Sequence, residues 1–448
     1  MKSQPQWSNR SVFLLAAVGS AVGLGNIWKF PYIVGENGGG AFILVYLFCI
    51  ALVGIPVLIA EILIGKTAQA NPVSAFENLA GKFKASRFWV IFGFIGIITG
   101  FLILSFYSVV AGWALEYLAV FLQNDLAGAA PEQVKNHFAD LLKSPSQLLF
   151  WHSIFMLLTI LIVAKGVNQG IEKVISLAMP ALFLILIILV IYASQQAGFS
   201  EALAYLFTPD FSLISTETTL IALGHAFFTL SLGMGAMMVY GSYLSKNTAV
   251  VRLSLSIALI DTLVALLAGL AIFPLIFTYG LEPSSGPSLL FISLPNALLA
   301  LPFGQFFGIA FFLLLLIAAL SSAISILEPV VRFVEQKTQL TRRISAWLMG
   351  IIIWLIGISA LLAFNEWAEV KLFGRNIFDS LDFLTTNILL PLGGLGISLF
   401  ATWVLASKSN ILSSLGIGNL AYKIWYWLAA IVAPAVILMI AWNGLFIS

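Results

Sequence analysis

Apolar residues fill this chain in long blocks separated by short polar stretches, Pro and Gly clusters and scattered charges. Each block is long enough to cross a hydrocarbon core of about 30 Å as a helix. Read against the breaks between them, the blocks predict eleven spans, over residues 11–35, 40–65, 88–122, 149–165, 173–194, 218–242, 251–279, 304–335, 343–363, 377–406 and 424–446. The stretch 287–302 is apolar but too short and proline-bearing to span, so it predicts a re-entrant or lid-like external element. The first block also carries Gly19, Ser20 and Ala21, which superficially fit the cleavage site of a secretory leader. Its polar, glycine-rich continuation Gly23-Leu24-Gly25-Asn26, followed by Trp28, Lys29, Phe30 and Pro31, argues instead for a retained span.

Spans one and six break their helical pattern midway with glycines beside polar groups. The first break is Gly23 to Asn26; the second runs Thr229-Leu230-Ser231-Leu232-Gly233-Met234-Gly235. An unwound turn in lipid exposes peptide groups that cost several kcal/mol each unless something satisfies them, and a bound ion or substrate can do so. The half-helix after each break offers N–H groups and a positive dipole end; the half-helix before it offers carbonyls. Two five-span units in series have opposite membrane orientation, so matching breaks in their first helices predict an all-α polytopic membrane protein. Its two inverted five-helix repeats, 11–194 and 218–406, are followed by an eleventh helix at 424–446.

Composition narrows the class. With 61% hydrophobic and 9% charged residues, the chain has too few polar side chains to cover a water-soluble globule of 448 residues. The net charge of +2 speaks against a nucleic-acid partner, and the single cysteine, Cys49, excludes an intramolecular disulfide. Three scattered histidines, His137, His152 and His225, give no catalytic or metal cluster, so no enzyme is expected. A channel would show rings of like charge or filter loops, and none is visible. Placing the N-terminus in the cytoplasm puts Lys82, Lys84, Arg87, Lys165, Lys173, Lys246, Arg342, Arg343 and Lys408, among others, on the inside. Only Lys135, Lys143, Lys371 and Arg375 are left outside. That asymmetry predicts a cytoplasmic N-terminus and, with an odd number of spans, an external C-terminus.

The string Gly19 to Pro31, with Trp7, Arg10, Glu36 to Phe42, Gly54 to Pro56, Glu61 and Gly65, closely resembles the first two helices of the neurotransmitter:sodium symporter family. Phe227 to Gly235 with Tyr240 and Tyr243 resembles the sixth helix of that family, and Ser321, Ser322 and Pro329 resemble its eighth. Gly170 and Pro180 match a fifth-helix unwinding motif, and eleven helices are similar to the bacterial amino acid transporter branch. The resemblance implies sodium-coupled symport of an amino acid by alternating access in a bacterial inner membrane, with lipid around it and no protein partner.

It also implies residue roles. One sodium site would use the Ala21 carbonyl, Asn26, Thr229 and Asp261; a second would use the Gly19, Val22 and Ala318 carbonyls with the hydroxyls of Ser321 and Ser322. The substrate carboxylate would meet Leu24, Gly25 and Tyr107, and its ammonium would face Ser231 and carbonyls at the two breaks, with Ala21, Thr229 and Ser322 bordering it. Gly23 stands where amine-transporting relatives carry aspartate, which favours a substrate bearing its own carboxylate. Ile103, Val110, Phe228, Met234, Ser325 and Ile326 would line an apolar pocket for a hydrophobic side chain.

Asp261 replaces the usual amide, and Ala265 stands where chloride-dependent members have serine, so transport is expected to be independent of chloride. Lys29 and Asp382 match the external gate, and Trp7 and Tyr243 the internal one. Gln4 and Gln336 occupy the positions of the usual internal ion pair, so the cytoplasmic gate is expected to rest on packing and neutral hydrogen bonds. Glu61 is expected to hold the backbone of span six, and His225 to make structural hydrogen bonds. The rival reading is a proton-coupled amino acid permease of the same fold, against which the paired hydroxyls Ser321 and Ser322 argue.

Overall fold

The computed structural model describes residues 6–245, 248–283, 286–407 and 412–446; Gln4, Lys246 and Lys408 lie outside the described residues. Among the described residues, nine helices are long and apolar enough to cross a membrane unaided: Gly40–Ala68, Arg87–Gln123, Pro145–Ala164, Val167–Ser194, Val250–Thr278, Gly304–Thr338, Arg342–Leu362, Ile377–Ala406 and Asn419–Met439. Two more spans are each made of two shorter pieces. Arg10–Ala21 and Gly25–Glu36 meet at 47°, and Thr216–Thr229 is separated from Ala236–Ser242 by the stretch 230–235. The eleven predicted spans are therefore present, with both interruptions in the expected helices.

Local chemistry sets several ends that apolar runs alone miss. The fourth span starts at Pro145, ahead of its apolar block, because Ser144 caps it and Pro145 occupies a first-turn position where no N–H is needed. The 287–302 segment is a packed element: its helix Ser293–Ala300 buries Leu294 and Leu298, and Tyr117 on the third span donates to the Phe291 carbonyl at 2.5 Å.

The eighth span lies along the third, and the first half of span one packs against the eighth, seventh and fifth. The second span and the lower half of span six touch backbone to backbone. A Cβ on Gly65 would sit 1.8 Å from the Met238 carbonyl oxygen, and one on Gly241 would sit 2.7 Å from that of Ile62. These glycines are required by the close approach of the two backbones.

Candidate functional site

The two breaks face each other at the centre of the bundle. At the first, Val22 is extended (φ −70°, ψ 103°), and a side chain on Gly23 would collide with Ser322 Oγ at 2.3 Å. The freed amides are not wasted: the Gly23 N–H donates to Asn26 Oδ1 at 3.1 Å and the Leu24 N–H to the Tyr107 hydroxyl at 3.2 Å. At the second, Ser231 (φ 53°), Gly233 and Gly235 (both φ 80°) take left-handed backbone, a conformation that glycine adopts without steric cost. Glu61 on the second span accepts from the Gly233 and Met238 N–H groups at 3.0 and 3.4 Å. Its carboxylate thus satisfies the start of the second half-helix, as expected of it.

Two oxygen clusters flank the breaks. In the first, Asn26 donates its amide to the Asp261 carboxylate at 2.7 Å and to its carbonyl at 3.0 Å, while the Thr229 hydroxyl lies 3.1 and 3.0 Å from the two carboxylate oxygens. Asp261 is fully buried, and among the described residues no cation pairs with it. A buried carboxylate held only by neutral donors keeps an uncompensated affinity for a cation.

In the second cluster, the Ser322 hydroxyl stands within 3.4 Å of the Gly19 carbonyl and 3.3 Å of that of Val22, and Ser321 donates to Ala318 at 3.0 Å. These are hard, neutral oxygens drawn from the end of the first half-helix and from the eighth span, the donor set that suits a monovalent hard cation.

Between the clusters lies a narrow cavity of about 10 Å³ lined by Ala21, Gly23, Leu24, Gly25, Ile103, Tyr107, Phe228, Ser231, Met234, Ser322, Ile326 and Ser20. That is about the room one water needs, so the two breaks and the third and eighth spans close tightly on one another here. Val110 lines a separate outer chamber with Trp28, Lys29 and Asp382. Ser325 sits one hydrogen bond behind the cavity wall, and Thr229 faces the Asp261 cluster.

Above the cavity, Lys29 bridges both carboxylate oxygens of Asp382 at 2.8 and 3.0 Å and lies 4.8 Å from the Phe228 ring centroid. This ion pair lines the outer chamber, which shares Leu24, Tyr107 and Phe228 with the inner cavity. Below it, Trp7 donates from its indole to the Tyr240 carbonyl at 3.0 Å and packs edge-on against Tyr243.

The expectation of a cytoplasmic gate without ionic contacts is corrected here. Tyr243 donates to the buried carboxylate of Glu328 at 2.5 Å, Arg342 forks onto both oxygens of that carboxylate, and Arg332 lies over the Tyr243 ring at 4.6 Å. Gln336 instead accepts from Asn71 in the neighbouring loop. Sequence reasoning missed Glu328 because a carboxylate beside Pro329 gives no partner by spacing; its arginine follows fourteen residues later, on the next helix.

His225 also departs from expectation. Both ring nitrogens lack a hydrogen-bond partner among the described residues, and the ring stacks on Phe30 at 5.7 Å and packs against Tyr46 at 5.4 Å. It serves as an aromatic filler behind the first break.

Comparison with known proteins fits this geometry. The profile of the Sodium:neurotransmitter symporter family matches residues 4–141 and 133–446. The uncharacterized sodium-dependent transporter YhdH of Bacillus subtilis is 41% identical over 442 residues, spanning 98% of this chain and 97% of its own. An uncharacterized sodium-dependent transporter of Haemophilus influenzae is 37% identical over 454 residues, spanning 99% of both chains. The crystal structure of MhsT in complex with L-phenylalanine matches with a TM-score of 0.91 and 44% identity, over 98% of this chain and 99% of that one. With broken helices, oxygen clusters and near full-length kinship in agreement, this chain belongs to the sodium:neurotransmitter symporter family and is a multi-pass membrane protein that couples transport of a small molecule to sodium.

Proposed function

We propose that the chain is a symporter of neutral, hydrophobic L-amino acids that works by alternating access, binds two sodium ions and needs no chloride. The observation that carries this reading is the position of Asn26. Its amide nitrogen holds Asp261 while its oxygen holds the Gly23 N–H at the cavity wall, so an ion at the first cluster and a substrate in the cavity share one side chain. Each then strengthens binding of the other, which is what coupling requires.

The substrate class is supported by the cavity. Leu24, Gly25 and Tyr107 supply polar groups for a carboxylate at one end, and Ile103, Phe228, Met234 and Ile326 present apolar surface to a side chain. Among the described residues no acidic side chain lines this cavity to hold a bare amine, and a relative of this size and shape binds L-phenylalanine. The first ion would lie among Ala21, Asn26, Thr229 and Asp261, the second among Gly19, Val22, Ala318, Ser321 and Ser322. Asp261 supplies the fixed negative charge that makes an external anion unnecessary.

The charge asymmetry of the loops supports a bacterial plasma membrane location with the N-terminus inside and the C-terminus outside, and repeats 11–194 and 218–406 moving against each other. The test is uptake of labelled leucine or phenylalanine into proteoliposomes under an inward sodium gradient, with potassium as control and gluconate in place of chloride. Uptake that requires sodium and persists in gluconate is expected. Equal uptake driven by a proton gradient without sodium would transfer the chain to proton coupling.

A further inference from the structure

Ser20 has no part in the assignments above, yet it lines the central cavity. It is the penultimate residue of the first half-helix, and its hydroxyl donates to Ser325 Oγ at 2.7 Å. Ser325 passes its own hydrogen to the Ser322 carbonyl at 2.7 Å. Both hydroxyls are buried, Ser20 being 1% exposed. The Ser20 hydrogen is therefore directed away from the cavity into the eighth span, and a hydroxyl oxygen in that state still has two lone pairs. Among the described residues no donor reaches them.

The neighbouring hydroxyl behaves alike: Ser231 gives its hydrogen to the Ser20 carbonyl at 2.8 Å. The cavity is thus polarised. Its lining combines the amide and phenol groups of Leu24, Gly25 and Tyr107, the apolar side chains of Ile103, Met234 and Ile326, and, at Ser20, an acceptor without a donor. Ser325 lies one helical turn past Ser322, so the Ser20–Ser325 pair ties the end of the first half-helix to the eighth span behind the cavity wall. A buried acceptor that meets only hydrocarbon is left unsatisfied; one that meets an N–H or O–H is not.

We infer that Ser20 is a specificity-determining residue whose oxygen accepts a hydrogen bond from the substrate side chain. The cavity thereby favours hydrophobic amino acids carrying one ring N–H or O–H donor, an indole or a phenol, over isosteres that lack it. This rests on the reading of the cavity as a hydrophobic amino acid site.

The test is competition against sodium-driven uptake of labelled phenylalanine in proteoliposomes. It pairs L-tryptophan with L-3-benzothienylalanine, in which sulfur replaces the indole N–H at nearly constant shape. In the unaltered protein tryptophan should compete about tenfold better, as expected for one satisfied buried hydrogen bond; in S20A the ratio should fall to about one. S325A gives an independent arm, usable if S20A fails to fold: it removes the acceptor of the Ser20 hydrogen, lets that hydrogen turn into the cavity, and should erase the same ratio. A ratio that stays the same in both variants overturns the inference. So does parallel weakening of both competitors, which would assign the Ser20 oxygen to the substrate ammonium. Absence of sodium-driven phenylalanine uptake in the unaltered protein would overturn the hydrophobic amino acid reading itself.

Discussion

The hydroxyl of Tyr243 donates to the carboxylate of Glu328 at 2.5 Å, joining the sixth and eighth spans at the end of the bundle where Trp7 packs. Glu328 is fully buried and also takes the fork of Arg342, while Trp7 packs edge-on against Tyr243 and donates its backbone N–H to the Tyr243 carbonyl at 3.3 Å. One carboxylate therefore ties three helices.

Removing one partner of a buried pair strands the other's charge, at a cost of about 3–5 kcal/mol. R342A is accordingly expected to lower the thermal unfolding midpoint sharply in detergent. R342M combined with E328Q should recover most of that loss, because no charge is left without a partner. A double variant as unstable as R342A would mean that Glu328 does not depend on Arg342.

Substitution of Gly65 tests the contact between the second span and the lower half of the sixth. The Cβ of G65A would lie 1.8 Å from a backbone oxygen, which no rotamer change can relieve. Overpacking of this kind costs about 1–3 kcal/mol. Lower thermal stability and loss of transport are expected together; a fully active, equally stable G65A would show that the two backbones can separate freely.

Asp261 is the charged member of the first oxygen cluster, and D261N keeps its shape while removing its charge. Its remaining oxygen can still accept from Asn26, so the local hydrogen bonding survives and the change isolates electrostatics. The sodium concentration for half-maximal uptake should rise at least about tenfold, in line with loss of a charge-assisted contact. Unchanged sodium dependence in D261N would remove Asp261 from the ion site.

The spans were legible because lipid enforces long apolar helices, and the two breaks because glycines beside Asn26 and Ser231 have no other reason to interrupt such helices. Within the site, residues next to the breaks could be named from the resemblance, whereas Glu328, Arg332 and Arg342 could not. Their pairing depends on how the eighth and ninth helices turn toward the sixth, which neither spacing nor hydropathy encodes. Ser20 escaped notice for a different reason: a small hydroxyl in a helix usually bonds back to its own backbone, and only the three-dimensional partner, Ser325, shows that its lone pairs are left free. His225 was misjudged because a polar ring was expected to seek hydrogen bonds, while its setting between Phe30 and Tyr46 uses it for its flat surface.

The clasp of Gly65 and Gly241 against neighbouring backbone, reinforced by Glu61, makes the second span and the lower sixth a single lever arm. The joint at the upper end of this arm is the left-handed turn through Ser231, Gly233 and Gly235. That joint is also a wall of the cavity. Motion of the arm and the shape presented to the substrate are therefore mechanically one variable, and whatever fills the cavity sets the angle at which the arm comes to rest.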